Sequence, residues 1–62
     1  MTSQERAALA VVWLNDGAQL TTAELAERLG MTWGGAWRLM HRLARVLPID
    51  QEDGRWFRVE PL

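Results

Sequence analysis

Apolar residues recur at helical spacing in three segments of the chain, near residues 3–15, 22–29 and 33–46. The first segment is apolar around much of its circumference, which is typical of a helix that packs on more than one side. In the third segment the apolar residues cluster on one face: Ala36, Leu39, Met40, Leu43 and Leu47. We therefore predict three helices, packed together by Leu9, Val12, Leu25, Leu29, Leu39, Met40, Leu43 and Ile49.

Each predicted helix begins just after a residue that can accept a hydrogen bond from a free first-turn amide. The predicted caps are Thr2 with Glu5 as its capping-box partner, Thr21 with Glu24, and Thr32 alone; Ser3 is an alternative to Thr2. The three helices are expected to end at Gly17, Gly30 and Pro48, because glycine accepts a left-handed conformation and proline restricts the residue before it.

After Pro48 the apolar residues alternate, and the pair Asp53-Gly54 predicts a β-hairpin. A two-residue loop would pair Ile49 with Arg58 and mix apolar with charged partners. A three-residue loop over 52–54 would pair Ile49 with Phe57 instead, and we prefer this register because a one-residue slip exchanges the two faces of a strand. It places Leu47, Ile49, Phe57 and Val59 on the inner face, and Asp50, Trp56 and Arg58 on the outer face. Trp13 is expected in or near the core.

The length of 62 residues predicts one domain over 1–62, and the apolar content of 48% is ordinary for a folded chain. With no cysteine and one histidine, neither a disulfide nor a structural zinc site is expected. We also expect no enzymatic activity, no cofactor and no small-molecule ligand, because the histidine belongs to no catalytic motif. No apolar run is long enough for a membrane span, so the default location is the cytoplasm.

Positive charge is concentrated in the third helix and the residues next to it. Residues 28–49 carry four arginines and no acid, whereas the rest of the chain carries three arginines and eight acids. On a helical wheel Gly34, Arg38, His41 and Arg45 lie opposite the apolar face, and Arg42 lies on one flank. Like charges one turn apart repel each other, so this face favours an anionic partner over a merely solvated surface.

The stretch LTTAELAERLGMT, followed by a helix with a basic outer face and a hairpin around EDGRWFRV, resembles the winged helix-turn-helix family over about residues 5 to 60. The resemblance implies a mainly α fold with a small β hairpin that binds double-stranded DNA, often as a transcriptional regulator. The third helix would enter the major groove, and the hairpin, or wing, would follow the adjacent backbone. The residues expected to contact DNA are Thr32, Trp33, Gly34, Arg38, His41, Arg42, Arg45 and Arg55.

The sequence is compatible with more than one role for the glycines, the tryptophan ridge and the wing. Gly34 and Gly35 either let DNA approach the first turn closely or let a neighbouring helix pack tightly, and Gly35 fits the second role better. Trp33 and Trp37 form one ridge that is either partly buried or a partner surface, and a homodimer is one such partnership. The wing is acidic at its tip, which favours a rival function: a protein-interaction module that does not bind DNA.

Overall fold

Three helices and three short strands make up the computed structural model of the protein, which describes residues 1–59. The elements are α1 Ser3–Asn15, β1 Leu20–Thr21, α2 Thr22–Leu29, α3 Trp33–Leu43, β2 Ile49–Glu52 and β3 Arg55–Arg58. The single domain was predicted over 1–62, and its residues 60–62, including the end of the family resemblance, lie outside the described part. The Cα radius of gyration of 10.5 Å is close to the ~10.6 Å expected for a folded chain of this length.

All three predicted helix caps are confirmed. The Thr2 hydroxyl accepts from the Glu5 amide at 3.1 Å, and the Thr2 amide donates to the Glu5 carboxylate at 3.2 Å, so Thr2 rather than Ser3 is the cap. In the second box, on α2, the Thr21 hydroxyl accepts from the Glu24 amide at 3.1 Å and the Thr21 amide donates to the Glu24 carboxylate at 2.9 Å. Gly30 ends α2 in the left-handed conformation, with φ of 64°. These contacts satisfy backbone groups that have no partner inside a helix, which explains why the helix starts lie where the sequence predicts them.

The core lies between the three helices and one face of the sheet. Its buried members are Ala10, Leu14, Leu20, Leu25, Leu29, Met40, Ile49 and Trp56, and half-buried residues packed against them include Leu9, Trp13, Leu39 and Leu43. The predicted core is confirmed at most of these positions. Val12 is a wrong assignment, because its side chain is 51% exposed. It lies two residues from the buried Ala10, about 200° around the helix, and the uniformly apolar α1 sequence conceals which face is buried.

A strand that the sequence pattern did not predict completes the sheet. β1 pairs with β3 in the antiparallel sense, Leu20 opposite Trp56, so the strand order is β1-β3-β2. Trp56 is 2% exposed, and its indole N–H donates to the Thr22 hydroxyl at 2.9 Å. The prediction that Trp56 lies on the outer face is therefore wrong. The free energy gained by burying the large Trp56 side chain, with its indole N–H hydrogen-bonded, outweighs the gain that the alternating smaller side chains would give in the predicted register.

The hairpin adopts the two-residue loop, so the preferred three-residue register is wrong. Ile49 pairs with Arg58 and Glu52 with Arg55, which leaves Asp53 and Gly54 in the turn. Both turn residues have positive φ, 53° and 77°, as the tightest hairpin turns require. This register puts Ile49 on the same face as Trp56, and that gain offsets the mixed pairs of Ile49 with Arg58 and Asp50 with Phe57 at the base of the hairpin.

α3 ends at Leu43, three residues before the predicted end at 46. The amides of Arg45 and Val46 donate to the carbonyls of Arg42 and Leu43, each three residues back. The chain thus tightens into a turn before it reaches Pro48, because terminal carbonyls accept such shorter bonds at helix ends. The protein is accordingly a three-helix domain with a small three-stranded antiparallel sheet, which confirms the predicted layout of helices and hairpin at that level.

Candidate nucleic-acid interface

The first turn of α3 is fixed by its cap. The Thr32 hydroxyl accepts from the Gly35 amide at 3.0 Å. Only residues 30–32 separate α2 from α3, so the two helices pack closely, and Met40 of α3 is buried with Leu25 and Leu29 of α2. The opposite face of α3 consequently points away from the core.

The outward face of α3 carries the basic and aromatic residues that the sequence singled out. Trp33 is 57% and Trp37 41% exposed, and Arg38, His41 and Arg42 are also exposed. Arg45, exposed too, extends this surface from the turn that follows the helix. One shallow depression on this surface is lined by Trp37, Arg38, His41, Arg42, Ala44 and Arg45. The structure therefore brings together most of the predicted site, and it adds Trp37, which was predicted only as part of a ridge.

The two glycines of α3 differ in their surroundings. A Cβ on Gly34 would meet only the Arg38 guanidinium, at 4.0 Å. A Cβ on Gly35 would lie 3.1 Å from the Thr32 hydroxyl and 3.2 Å from the end of the Met31 side chain, which is tighter than ordinary contact. Gly35 thus has the tighter surroundings of the two, but the neighbouring atoms belong to the turn before α3 and not to another helix as the prediction had it. Gly34 has room for a side chain.

Arg38 folds back along the helix in the unbound protein. Its Nε donates to the carbonyl oxygen of Gly34 at 3.3 Å, one turn earlier. This is an exposed hydrogen bond, and such bonds contribute little because water competes for both partners. The guanidinium can therefore exchange this contact for a stronger one with an anion or a base edge at small cost.

His41 lies between two tryptophan rings. Its ring centroid is 4.0 Å from that of Trp37, with the planes tilted by 44°, and 5.0 Å from that of the buried Trp56 in an edge-to-face arrangement. The family resemblance predicted His41 only as a contact to DNA. The structure gives it a further role, because it links the exposed Trp37 to the core.

Most arginines outside α3 have contacts within the protein. Arg6 donates to the Leu29 carbonyl at 3.1 Å, and the Arg28 guanidinium lies 5.3 Å from the centre of the Trp13 ring. Across residues 1–59, neither an ion pair nor a side-chain hydrogen bond within the chain engages Arg42, Arg45 or Arg58. No acidic residue lies in α3. The positive charges of Arg42 and Arg45 therefore face solvent.

Arg55 was predicted as a DNA contact, but it lies apart from the α3 surface. It begins β3, its guanidinium is 3.9 Å from the Glu24 carboxylate, and it donates to the Gln19 carbonyl at 3.4 Å. Glu24 also accepts from the Thr21 amide at 2.9 Å. The pKa of Glu24 is lowered, chiefly by that backbone hydrogen bond and secondarily by the Thr21 hydroxyl and the nearby Arg55 and Arg28. The carboxylate thus stays charged beside Arg55, in an exposed ion pair of the kind that contributes little to stability.

A second depression, which the sequence did not indicate, lies between the start of α1 and α3. It is lined by Ser3, Arg6, Met31, Gly35, Arg38, Leu39 and Arg42. Arg6 and Arg38 are 32 positions apart in the sequence, yet both line this depression at the edge of the α3 surface. No local sequence pattern predicts this placement. The positive region consequently continues from α3 to the N-terminal end of α1.

Comparisons of the chain with family models, with curated proteins and with solved structures each found no match. Within residues 1–59 no helix is both long and apolar enough to cross a membrane. No grouping of three or more potential metal-ligating side chains occurs in that same part of the chain.

Proposed function

We propose that this protein binds double-stranded DNA as a winged helix-turn-helix domain, inserting α3 into the major groove, and that it acts in transcriptional regulation. The observation that carries the proposal is the outward face of α3. Arg38 and Arg42 on the helix and Arg45 just after it are exposed beside one another, without an acidic neighbour on the helix. Duplex DNA supplies the matching negative charge, and its major groove admits a helix.

The arrangement of α2 and α3 supports this mode of binding. A helix-turn-helix unit joins two helices by a turn of three or four residues that often contains glycine, and here the turn is 30–32 with Gly30 left-handed. In such units the second helix enters the groove, with its first turns nearest the bases. The exposed first turns of α3, from Trp33 to Arg38, are therefore the part placed to contact base edges.

The positions along α3 imply different roles. Arg38 lies in the second turn and is placed to contact a guanine edge, a contact that discriminates by ~1–3 kcal/mol. Arg42 and Arg45 lie farther along, where a helix crossing the groove approaches the backbone, and we assign them to phosphates. Thr32, Gly34 and His41 lie on the same side and complete the proposed surface.

The wing makes a smaller contribution in this proposal. Asp50, Glu52 and Asp53 are exposed on β2 and the turn, and like charge keeps them from phosphates. Arg55 is the cation of the wing nearest its tip, and contact with DNA would require it to leave Glu24. The acidic wing also favours the second candidate function, a protein-interaction module on the same frame.

A salt titration distinguishes the two functions. Duplex binding measured by fluorescence anisotropy should weaken linearly in log affinity against log salt, with a slope of about −3 to −5. A flat response, or no binding even at low salt, would favour the interaction module.

Three arginine variants test the roles within the surface. Arg38→Ala should weaken binding to the preferred duplex by ~1–3 kcal/mol and relax preference at one or two base pairs. Arg45→Ala should weaken all duplexes alike and flatten the salt slope by about one unit. Arg58→Ala is the matched control, because this exposed arginine lies beside the C-terminal part of α1 and its loss should change neither. If Arg38→Ala leaves affinity and preference intact in a normally folded protein, the groove-facing role is wrong.

A further inference from the structure

The exposed tryptophans of α3 form a ridge beside the arginines. Trp33, Trp37 and His41 follow one another at intervals of four residues, so they lie along one side of the helix. Gly34, Arg38 and Arg42 form the parallel line next to it. Both tryptophans keep a large fraction of their apolar surface in water, at 57% and 41% exposure. A surface with an apolar line beside a cationic line fits a ligand that presents an apolar group beside negative charge and hydrogen-bond acceptors.

The major groove of DNA has this chemistry. Phosphates border it, guanine edges offer acceptors to arginine, and the C5-methyl of thymine is the apolar group among its base edges. Trp33 and Trp37 are about 6 Å apart along the helix axis, which corresponds to roughly two base-pair steps of ~3.4 Å. A helix in the groove that places Arg38 on a guanine therefore brings the tryptophan ridge to the neighbouring base pairs.

The ring of Trp37 packs against the fold on one side. It contacts His41, which in turn packs on Trp56, and Trp56 is anchored by its hydrogen bond to Thr22. Ordering a large side chain in advance lowers the entropy that binding must otherwise remove. Trp37 is thus prepared for a contact at a defined position, and Trp33 is the more open of the two.

We infer that Trp33 and Trp37 determine sequence preference by contacting thymine methyl groups next to the base pair that Arg38 contacts. This inference rests on the proposed binding of α3 in the major groove. It names a class of sequence, thymine beside guanine, and it adds Trp37 as a specificity-determining residue.

The test removes only the methyl groups. A duplex of the sequence that the protein selects from a randomised pool is compared with the same duplex in which every thymine is replaced by deoxyuridine. Losing one methyl contact should weaken binding by about fourfold, the factor that corresponds to burying one methylene-sized group. Trp33→Ala and Trp37→Ala should each remove the part of the difference that comes from its own methyl contact, and the double variant should bind the two duplexes with nearly equal affinity. Val12→Ala, an exposed apolar change on α1, should keep the full difference.

The outcomes separate this inference from the function beneath it. No duplex binding at low salt overturns the proposed function. Duplex binding with no thymine in the selected sequence, or with no effect of deoxyuridine, overturns the thymine contact alone. Tighter binding to single strands that both tryptophan variants abolish would show base stacking instead and overturn it as well. Sedimentation completes the set, because a dimer that Trp33→Ala converts to monomers, without any effect of deoxyuridine, would assign the ridge to a second copy of the chain.

Discussion

Replacing each glycine of the α3 first turn by alanine should have different consequences for stability. Alanine favours a helix over glycine by up to ~1 kcal/mol, and by less near a helix end. At Gly34 the new methyl group meets only the Arg38 guanidinium, at 4.0 Å, an ordinary contact with a flexible group. We therefore expect Gly34→Ala to stabilise the protein by roughly 0.5 kcal/mol.

At Gly35 the same methyl group has less room. It would lie 3.1 Å from the Thr32 hydroxyl, which is held in place because it caps the helix through the Gly35 amide at 3.0 Å. The Met31 methyl, at 3.2 Å, can move aside more easily. Disturbing a cap costs ~0.5–2 kcal/mol, which offsets or exceeds the gain in helix propensity. Gly34→Ala should therefore be the more stable variant by about 1 kcal/mol.

Thermal unfolding followed by circular dichroism provides the measurement. For a domain of this size, 1 kcal/mol corresponds to a difference in Tm of about 4–8 °C. Equal melting temperatures, or a more stable Gly35→Ala, would refute the assignment of Gly35 to local packing. The same proteins also test the surface, because Gly34→Ala should weaken duplex binding despite its added stability if DNA approaches the first turn closely.

The remaining predictions concern the core and the caps. Thr22→Val should cost ~1–3 kcal/mol in urea unfolding, because the buried Trp56 N–H loses its acceptor; Thr22→Ser keeps the hydroxyl and should cost less. Folding lowers the pKa of Glu24 from its ordinary value of 4.5, so the charged carboxylate stabilises the fold at pH values above 4.5. This contribution is lost as the pH falls through the lowered pKa. Glu24→Gln keeps an acceptor for the Thr21 amide, so its Tm should fall less steeply below about pH 5 than that of the parent protein. Val12→Ala should change stability by no more than ~0.5 kcal/mol, since the side chain is half exposed; a loss of ~2 kcal/mol would restore Val12 to the core.

The helix starts and the charged surface could be predicted from the sequence because local interactions determine them. A capping box joins residues three positions apart, as in Thr21 and Glu24, and the structure keeps both boxes. The apolar stripe of α3 is equally local, since it requires only the helical period, and the arginines follow on the opposite face. Most of the candidate site, from Thr32 to Arg45, could therefore be predicted without knowledge of any tertiary contact.

The sheet depended on contacts between distant parts of the chain. Alternation alone allowed two registers for the hairpin, and it favoured the wrong one because it treated the hairpin as two strands. In the folded protein Leu20 of β1 pairs with Trp56, and Thr22 supplies the acceptor for the indole. These partners lie more than thirty residues away in sequence, so no local pattern can reveal them.

The surroundings of the site were likewise decided by the tertiary structure. The observed register determines two contacts near the site. It brings Trp56 against His41, which also contacts Trp37. It also brings Arg55 close to Glu24. The period of a helix fixes which residues share a face, and the sequence contains that information. Which large side chain fills the interior depends on the shape left by all the other elements together, and that shape exists only once the chain has folded.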